Sequence, residues 1–300
     1  MSGERKALDG QAIVVMVLLC LIWGCGHVAI KLAAPDIPAL MQAGLRSAIA
    51  VILLVGWALM RGIALFGRDG TLIAGTIAGL LFAGEFLFVY TGLAWTDASR
   101  MIVFVYLSPC VTALGLQWLV PGERLDRRQW TGMLLAFGGV VVAFADGFQM
   151  ARGTLAGDAC GVLGAVFWGA TTVLIRATRL ASISAAKTLF YQLGVSAVVL
   201  LCGSLLIGEP GIIRITPVAL GSLLFQSVVI GFASYLAWFW LLTRYLAGRL
   251  SVFSFLTPLF GVAAGVIVLS EPLTPMFAIA AVLVAGGIVL VNNPAARRGD

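Results

Sequence analysis

The sequence predicts an all-α membrane protein whose ten transmembrane helices form two inverted five-helix repeats. Three observations carry this: the composition, ten apolar stretches of membrane-crossing length, and short motifs that return about 145 residues apart. Of 300 residues, 61% are hydrophobic and 11% charged, with a mean hydropathy of +1.07. An ordinary soluble domain has about 45–50% apolar and about 25% charged residues. A soluble fold this apolar lacks the polar groups to cover its surface, so lipid is the expected solvent.

The apolar stretches are 11–31, 39–60, 71–94, 101–120, 129–146, 155–175, 185–207, 217–242, 250–269 and 275–292. About 20 helical residues cross a hydrocarbon core of about 30 Å. The first stretch follows Arg5 and Lys6, as the core of a signal peptide would, but it continues through His27 to span length and nine more follow. A membrane span is expected there, not a cleaved leader. Pro35, Pro38, Pro121, Pro210, Pro217, Pro272, Pro275 and Pro294 fall at span ends or in connections, where proline starts or stops helices. Pro109 and Pro258 lie inside the fourth and ninth spans. There they predict kinks that free backbone carbonyls, tolerable only against protein or a wet cavity.

The repeat is legible in five pairs of motifs. Trp23-Gly24 returns as Trp168-Gly169, and Lys31 as Arg176 at the same offset. Leu107-Ser108-Pro109 returns as Leu256-Thr257-Pro258, Glu123 as Glu271, and Gly138-Gly139 as Gly286-Gly287. The offset drifts from 145 to 149, as insertions in loops would make it. The expected division is a first repeat over 1–146, a linker over 147–155, a second repeat over 156–292 and a tail over 293–300. Five is odd, so the second copy enters the membrane from the opposite side, the arrangement of inverted-repeat secondary transporters.

Charge placement supplies an orientation. Of 19 Lys and Arg, 14 fall at the termini and in the even-numbered loops and 4 in the odd-numbered loops, with Arg46 inside a span. The positive-inside rule therefore expects both termini in the cytoplasm, in a bacterial inner membrane. The net charge of +6 forms no contiguous basic face, so no nucleic-acid partner is expected. Cys20, Cys25, Cys110, Cys160 and Cys202 are odd in number, lack a CxxC pair and lie in apolar stretches, and read as buried apolar side chains. With a single histidine and no cysteine cluster, neither a metal site nor a cofactor is expected. Gly75/Gly79, Gly157/Gly161 and Gly261/Gly265 suit close helix packing within one bundle, and a monomer suffices.

Ten spans in two copies, each with a Trp-Gly opening motif, a Ser/Thr-Pro in its fourth span and a following Glu, resemble the EamA family of the drug/metabolite transporter superfamily. The similarity covers essentially the whole chain and is greatest to the YddG-type bacterial exporters of aromatic and other amino acids. The resemblance implies gradient-linked efflux of small metabolites through a cavity at the repeat interface.

Within the spans, ionisable groups are costly and therefore candidates for function. Glu85, in the middle of the third span, has a neutral counterpart near Ser234. It reads as a coupling or substrate carboxylate, or as a protonated group bonded to a neighbouring helix. His27, one turn beyond Trp23, has Thr172 as its counterpart and is either a site residue or a packing residue. Arg46 snorkels to the outer interface, meets a substrate carboxylate, or pairs with Glu85. Tyr90, Tyr106, Trp168, Tyr235 and Trp238 lie at membrane depth, where aromatic side chains suit either a pocket or a core. The substrate site expected is thus His27, Arg46, Glu85, Tyr90, Tyr106, Trp168, Tyr235 and Trp238, gated by Pro109 and Pro258. No GxSxG, P-loop, HExxH or diphosphate motif occurs, so no enzyme is expected. The expected activity is export of amino acids, aromatic ones included, by alternating access. A nucleotide-sugar or drug exporter of the same fold, and an intramembrane enzyme or scaffold, are the alternatives.

Overall fold

A computed structural model describes residues 8–93, 95–96, 98–145, 155–269 and 275–292. The chain is an all-helical membrane protein. The first five spans are α1 (Gly10–Ala33), α2 (Ala39–Met60), α3 (Leu72–Gly92), the broken pair α4 (Ala98–Val105) and α5 (Ser108–Leu119), and α6 (Arg127–Ala143). The last five are α7 (Leu155–Ala177), α8 (Ala185–Leu206), the composite α9 (Pro217–Leu224) with π turns over 225–234 and α10 (Tyr235–Arg244), the broken pair α11 (Ala247–Phe253) and α12 (Leu256–Leu269), and α13 (Met276–Asn292). Starts follow local chemistry. Asp9, Asp126 and Ser184 cap α1, α6 and α8 through their side chains, and Pro217 opens α9 behind the Thr216 cap.

Pro109 and Pro258 act more strongly than as kinks. Each lies in the first turn of a new helix, after a break at residues 106–107 and 254–255. A ring that cannot donate to the preceding turn costs least at a helix start, so the chain begins again there.

The two copies pack by exchange. α1 lies on α12, and its counterpart α7 lies on α5; α3 lies on α7, as α9 with its π turns lies on α1. The Trp-Gly motif is explained by this exchange. A Cβ on Gly24 would stand 2.7 Å from the Gly261 nitrogen, and one on Gly169 2.7 Å from Val111 Cγ1, so only glycine admits the crossing helix. Two pairs pack like on like: α2 on its counterpart α8, and α6 on its counterpart α13. In the second, a Cβ on Gly132 would stand 2.7 Å from the Gly287 carbonyl oxygen.

The connections lock the same symmetry. At one end, Glu209 accepts from the Leu40 and Met41 amides at the start of α2, and Asp36 binds Arg214 at 2.9 Å and Thr216 at 2.5 Å. At the other end, the start of α8 is held by Lys187, which binds Asp69 at 2.8 Å and the Gly67 carbonyl.

Two expectations need correction. The drift in offset does not come from loop insertions alone, because the third span has 21 residues and its counterpart 28. The π turns hold extra residues inside the membrane helix. The cysteines are also not uniformly buried: Cys20 and Cys160 are, Cys25 and Cys110 are half-buried, and Cys202 is exposed. An apolar side chain costs nothing against lipid, so hydropathy alone could not sort them.

Candidate functional site

A cavity of about 330 Å³ lies between the two copies, and both contribute to its wall. The eight expected site residues His27, Arg46, Glu85, Tyr90, Tyr106, Trp168, Tyr235 and Trp238 all line it, as does Pro109; Pro258 is buried beside it, with Thr257 at the surface of the cavity. Neither α6 nor α13 reaches it. These two spans brace each other, and the remaining eight enclose the cavity.

Each side chain arrives by a different route. The tight α1–α12 crossing brings Trp23 against the second copy, where its indole donates to Ser234 at 2.9 Å and its ring meets Tyr235 at 6.2 Å and Trp238 at 5.8 Å. One turn on, His27 is open to the cavity. The breaks before Pro109 and Pro258 turn Ser108, Thr112, Ser254 and Thr257 toward it. On the other side Tyr106 and Trp168 stand edge to face at 5.7 Å. Aromatic rings thus form an apolar body around a small number of polar groups, the usual composition of a small-molecule site.

The charged residues are disposed unevenly. Arg46 is 3% exposed, so it does not snorkel to the bundle surface. Its guanidinium carbon lies 4.5 Å from the Phe86 ring centre and 5.8 Å from that of Tyr235, close enough for cation–π attraction. Nε and Nη2 have no hydrogen-bond partner. Glu85 faces the same cavity and couples electrostatically to Arg46. Among the described residues the two make no ion pair within 4 Å. The direct pairing expected as one option is therefore not present in this conformation.

The cavity runs from Lys31 and Leu93, near the end with few basic residues, to Ile175 and Ser251 toward the basic end. Just beyond Ile175, Arg176 and Glu123 form an ion pair. These side chains are 1% and 3% exposed. Arg176 also donates to the Leu242 carbonyl, and Glu123 accepts from the Ala247 amide at 2.8 Å, so the pair ties together four segments.

Sequence reasoning missed Gln192, which is fully buried, lines the cavity and leaves both side-chain amide atoms without a partner. The offset between α2 and α8 would have found it, because Gln192 holds in α8 the place that Arg46 holds in α2. The small hydroxyls Thr171, Thr172 and Ser251 were missed as well, since serine and threonine inside a span are most often bonded to their own helix. Among the described residues no three His, Cys, Asp or Glu side chains gather where a metal could bind.

Residues 10–145 and, separately, 155–293 each match the EamA-like transporter family. The chain is 29% identical over 279 residues to "Uncharacterized transporter YvbV" of Bacillus subtilis, covering 93% of this chain and 90% of that protein. It is 26% identical over 283 residues to a "Probable amino-acid metabolite efflux pump" of Salmonella typhimurium, covering 91% and 92%. A protein of the same name from Escherichia coli is 25% identical over 286 residues, covering 92% and 93%. A solved crystal structure superposes with a TM-score of 0.79 at 22% identity, over 94% of this chain and 98% of that one. It shares the fold.

Proposed function

The chain belongs to the EamA-like transporter family, and we propose that it is a secondary transporter exporting amino acids, aromatic ones included, by alternating access. The family is one of transporters and not of enzymes. The observation that carries the substrate reading is one cavity holding a buried cation, a carboxylate and an aromatic wall. A zwitterion with an apolar side chain presents the complementary set of groups. The efflux pumps named above and the resemblance to YddG-type exporters support the same substrate class.

The proposed orientation has both termini in the cytoplasm of a bacterial inner membrane, because the basic residues concentrate at that end. The two copies, 1–146 and 156–292, then move against each other around the cavity. In this orientation the Arg176–Glu123 pair closes the cytoplasmic side and the conformation faces outward. The protein acts as a monomer, since one chain encloses the cavity.

The test is uptake of a panel of labelled amino acids by proteoliposomes containing the purified chain, with and without a pH gradient. Saturable flux of at least one amino acid above that of empty liposomes is expected. Flux of none of them, with saturable flux of a nucleotide sugar or drug, would sink the substrate reading. Reporters fused at both termini check the orientation, and periplasmic activity at both ends would reverse it.

A further inference from the structure

We propose that Arg46 is the carboxylate anchor of the cavity, gripping the ligand through its guanidinium, so that ligands with a free carboxylate are accepted and their amides and esters are not. The inference rests on the transport reading above and specifies what the cavity selects.

Four observations converge on it. First, Arg46 is 3% exposed and its Nε and Nη2 lack a partner. A buried cation without hydrogen-bonding partners is costly, so a group that completes it stabilises the assembly strongly. Second, Nε and Nη2 form one edge of the planar group, and their parallel N–H bonds match the two oxygens of a carboxylate in the bidentate fork. An ester or a primary amide has no second anionic oxygen to complete that fork. Third, the guanidinium carbon lies 4.5 Å from the Phe86 ring centre and 5.8 Å from that of Tyr235, so cation–π attraction holds the charge in the cavity wall.

The fourth observation is the comparison within the chain. Arg46 is the eighth residue of α2, and Gln192 is the eighth residue of α8, the counterpart helix packed against it. Both helices have 22 residues, both positions are buried, and both line the cavity. The fold thus accommodates a neutral amide of comparable polarity at this place in one copy. A packing role would not need a charge in the other. Helix packing therefore does not demand the charge on Arg46, which in the cavity wall couples to Glu85 and is placed to meet a ligand carboxylate. Glu85, on the same cavity, is placed to meet the ligand's ammonium group.

Arg46→Gln installs the residue that the other copy already carries, which makes it a variant the fold is suited to hold. The purified full-length protein in proteoliposomes is assayed with the best-transported labelled amino acid of the panel. Competition by the same unlabelled amino acid is compared with that of its amide and its methyl ester. In the wild type, the free acid should compete at least about tenfold better than either derivative. In Arg46→Gln, the preference should fall to within about threefold. Arg46→Lys keeps the charge but loses the fork and should lie between. An acid-to-amide ratio near one in the wild type overturns the proposal, as does a wild-type ratio in Arg46→Gln. Should Arg46→Gln fail to fold, an unchanged ratio in Arg46→Lys overturns it equally. Flux of no amino acid at all would remove the transport reading and the anchor with it. Flux without discrimination removes the anchor alone.

Discussion

The indole of Trp23 donates a hydrogen bond to Ser234 at 2.9 Å, and Ser234 lies near the place in the second copy that answers to Glu85 in the first. The same tryptophan motif in the other copy, Trp168, packs instead against Tyr106. The first copy therefore joins its opening tryptophan to a neutral hydroxyl of the second, while its own carboxyl at Glu85 faces the cavity.

Glu85→Gln separates two roles for that carboxyl. If it carries a coupling proton, binding persists and the dependence of flux on a pH gradient disappears. If it meets the ligand's ammonium group, affinity falls by about tenfold, because a charge-assisted hydrogen bond becomes a neutral one of roughly half the strength. The second outcome is expected, since Glu85 shares a cavity with a buried cation whose Nε and Nη2 lack hydrogen-bond partners. Flux and affinity of this mutant at two pH values measure both, and wild-type behaviour in each would remove Glu85 from the site.

Pro109→Ala and Pro258→Ala should join α4 to α5 and α11 to α12, because alanine restores the missing backbone donor at each restart. The two changes act in opposite copies, so they should bias the transporter toward opposite sides. Reaction of cysteines placed at Thr112 and Ser251 with a membrane-impermeant reagent reports the bias. Unchanged reactivity in both mutants would assign the prolines to packing alone.

Breaking the Arg176–Glu123 pair should be severe. Either Glu123→Gln or Arg176→Gln removes one side of a buried ion pair and should destabilise the protein by about 3–5 kcal/mol. Thermal melting in detergent gives the loss. The same mutants should expose a cysteine at Ser251 to reagent from the basic end, and no gain in labelling would show that the pair does not close the passage.

Acid should weaken the clamp between Asp69 and Lys187. The Lys187 ammonium, then the Thr71 hydroxyl and amide, hold the Asp69 carboxyl well below its ordinary value of 3.8. A depressed carboxylate gives stability that is fully present above that ordinary value and is lost as pH falls through the lower folded one. Wild type should therefore lose melting temperature below about pH 4 more steeply than Asp69→Asn does. Parallel curves for the two proteins would remove this pair from the acid response. The group is exposed enough for solvent to screen it, so the expected difference is small.

Much of the architecture was legible because lipid imposes a crude rule on sequence. Every span must be long and apolar, and Trp23, Trp168, Pro109 and Pro258 stand out against that background. The expected site residues share one cavity because a polar or aromatic residue at membrane depth has few other places to go. Gln192 escaped notice for the converse reason, being uncharged and unaccompanied by a motif. The π turns of 225–234 were illegible: Phe225, Val228 and Phe232 read equally well as ordinary apolar helix, although the segment packs against α1 and α2. Hydropathy also cannot tell a lipid-facing side chain such as Cys202 from a core one.

The contacts between the copies have the character of an isologous dimer interface. Where α1 of one half meets α12 of the other, α5 of the first meets α7 of the second, and α2 and α6 each meet their own equivalents. In symmetric dimers the same surface serves both partners in this way. A single five-helix half thus carries both sides of every contact used here, and needs only a second copy inserted upside down to complete them. The chain is in effect an antiparallel dimer made covalent, and its tether fixes one partner of each orientation in a one-to-one ratio. Once they are tethered, the halves are free to diverge. Gln192 opposite Arg46 and Ser234 opposite Glu85 are the marks of that freedom, and neither asymmetry is available to two identical subunits.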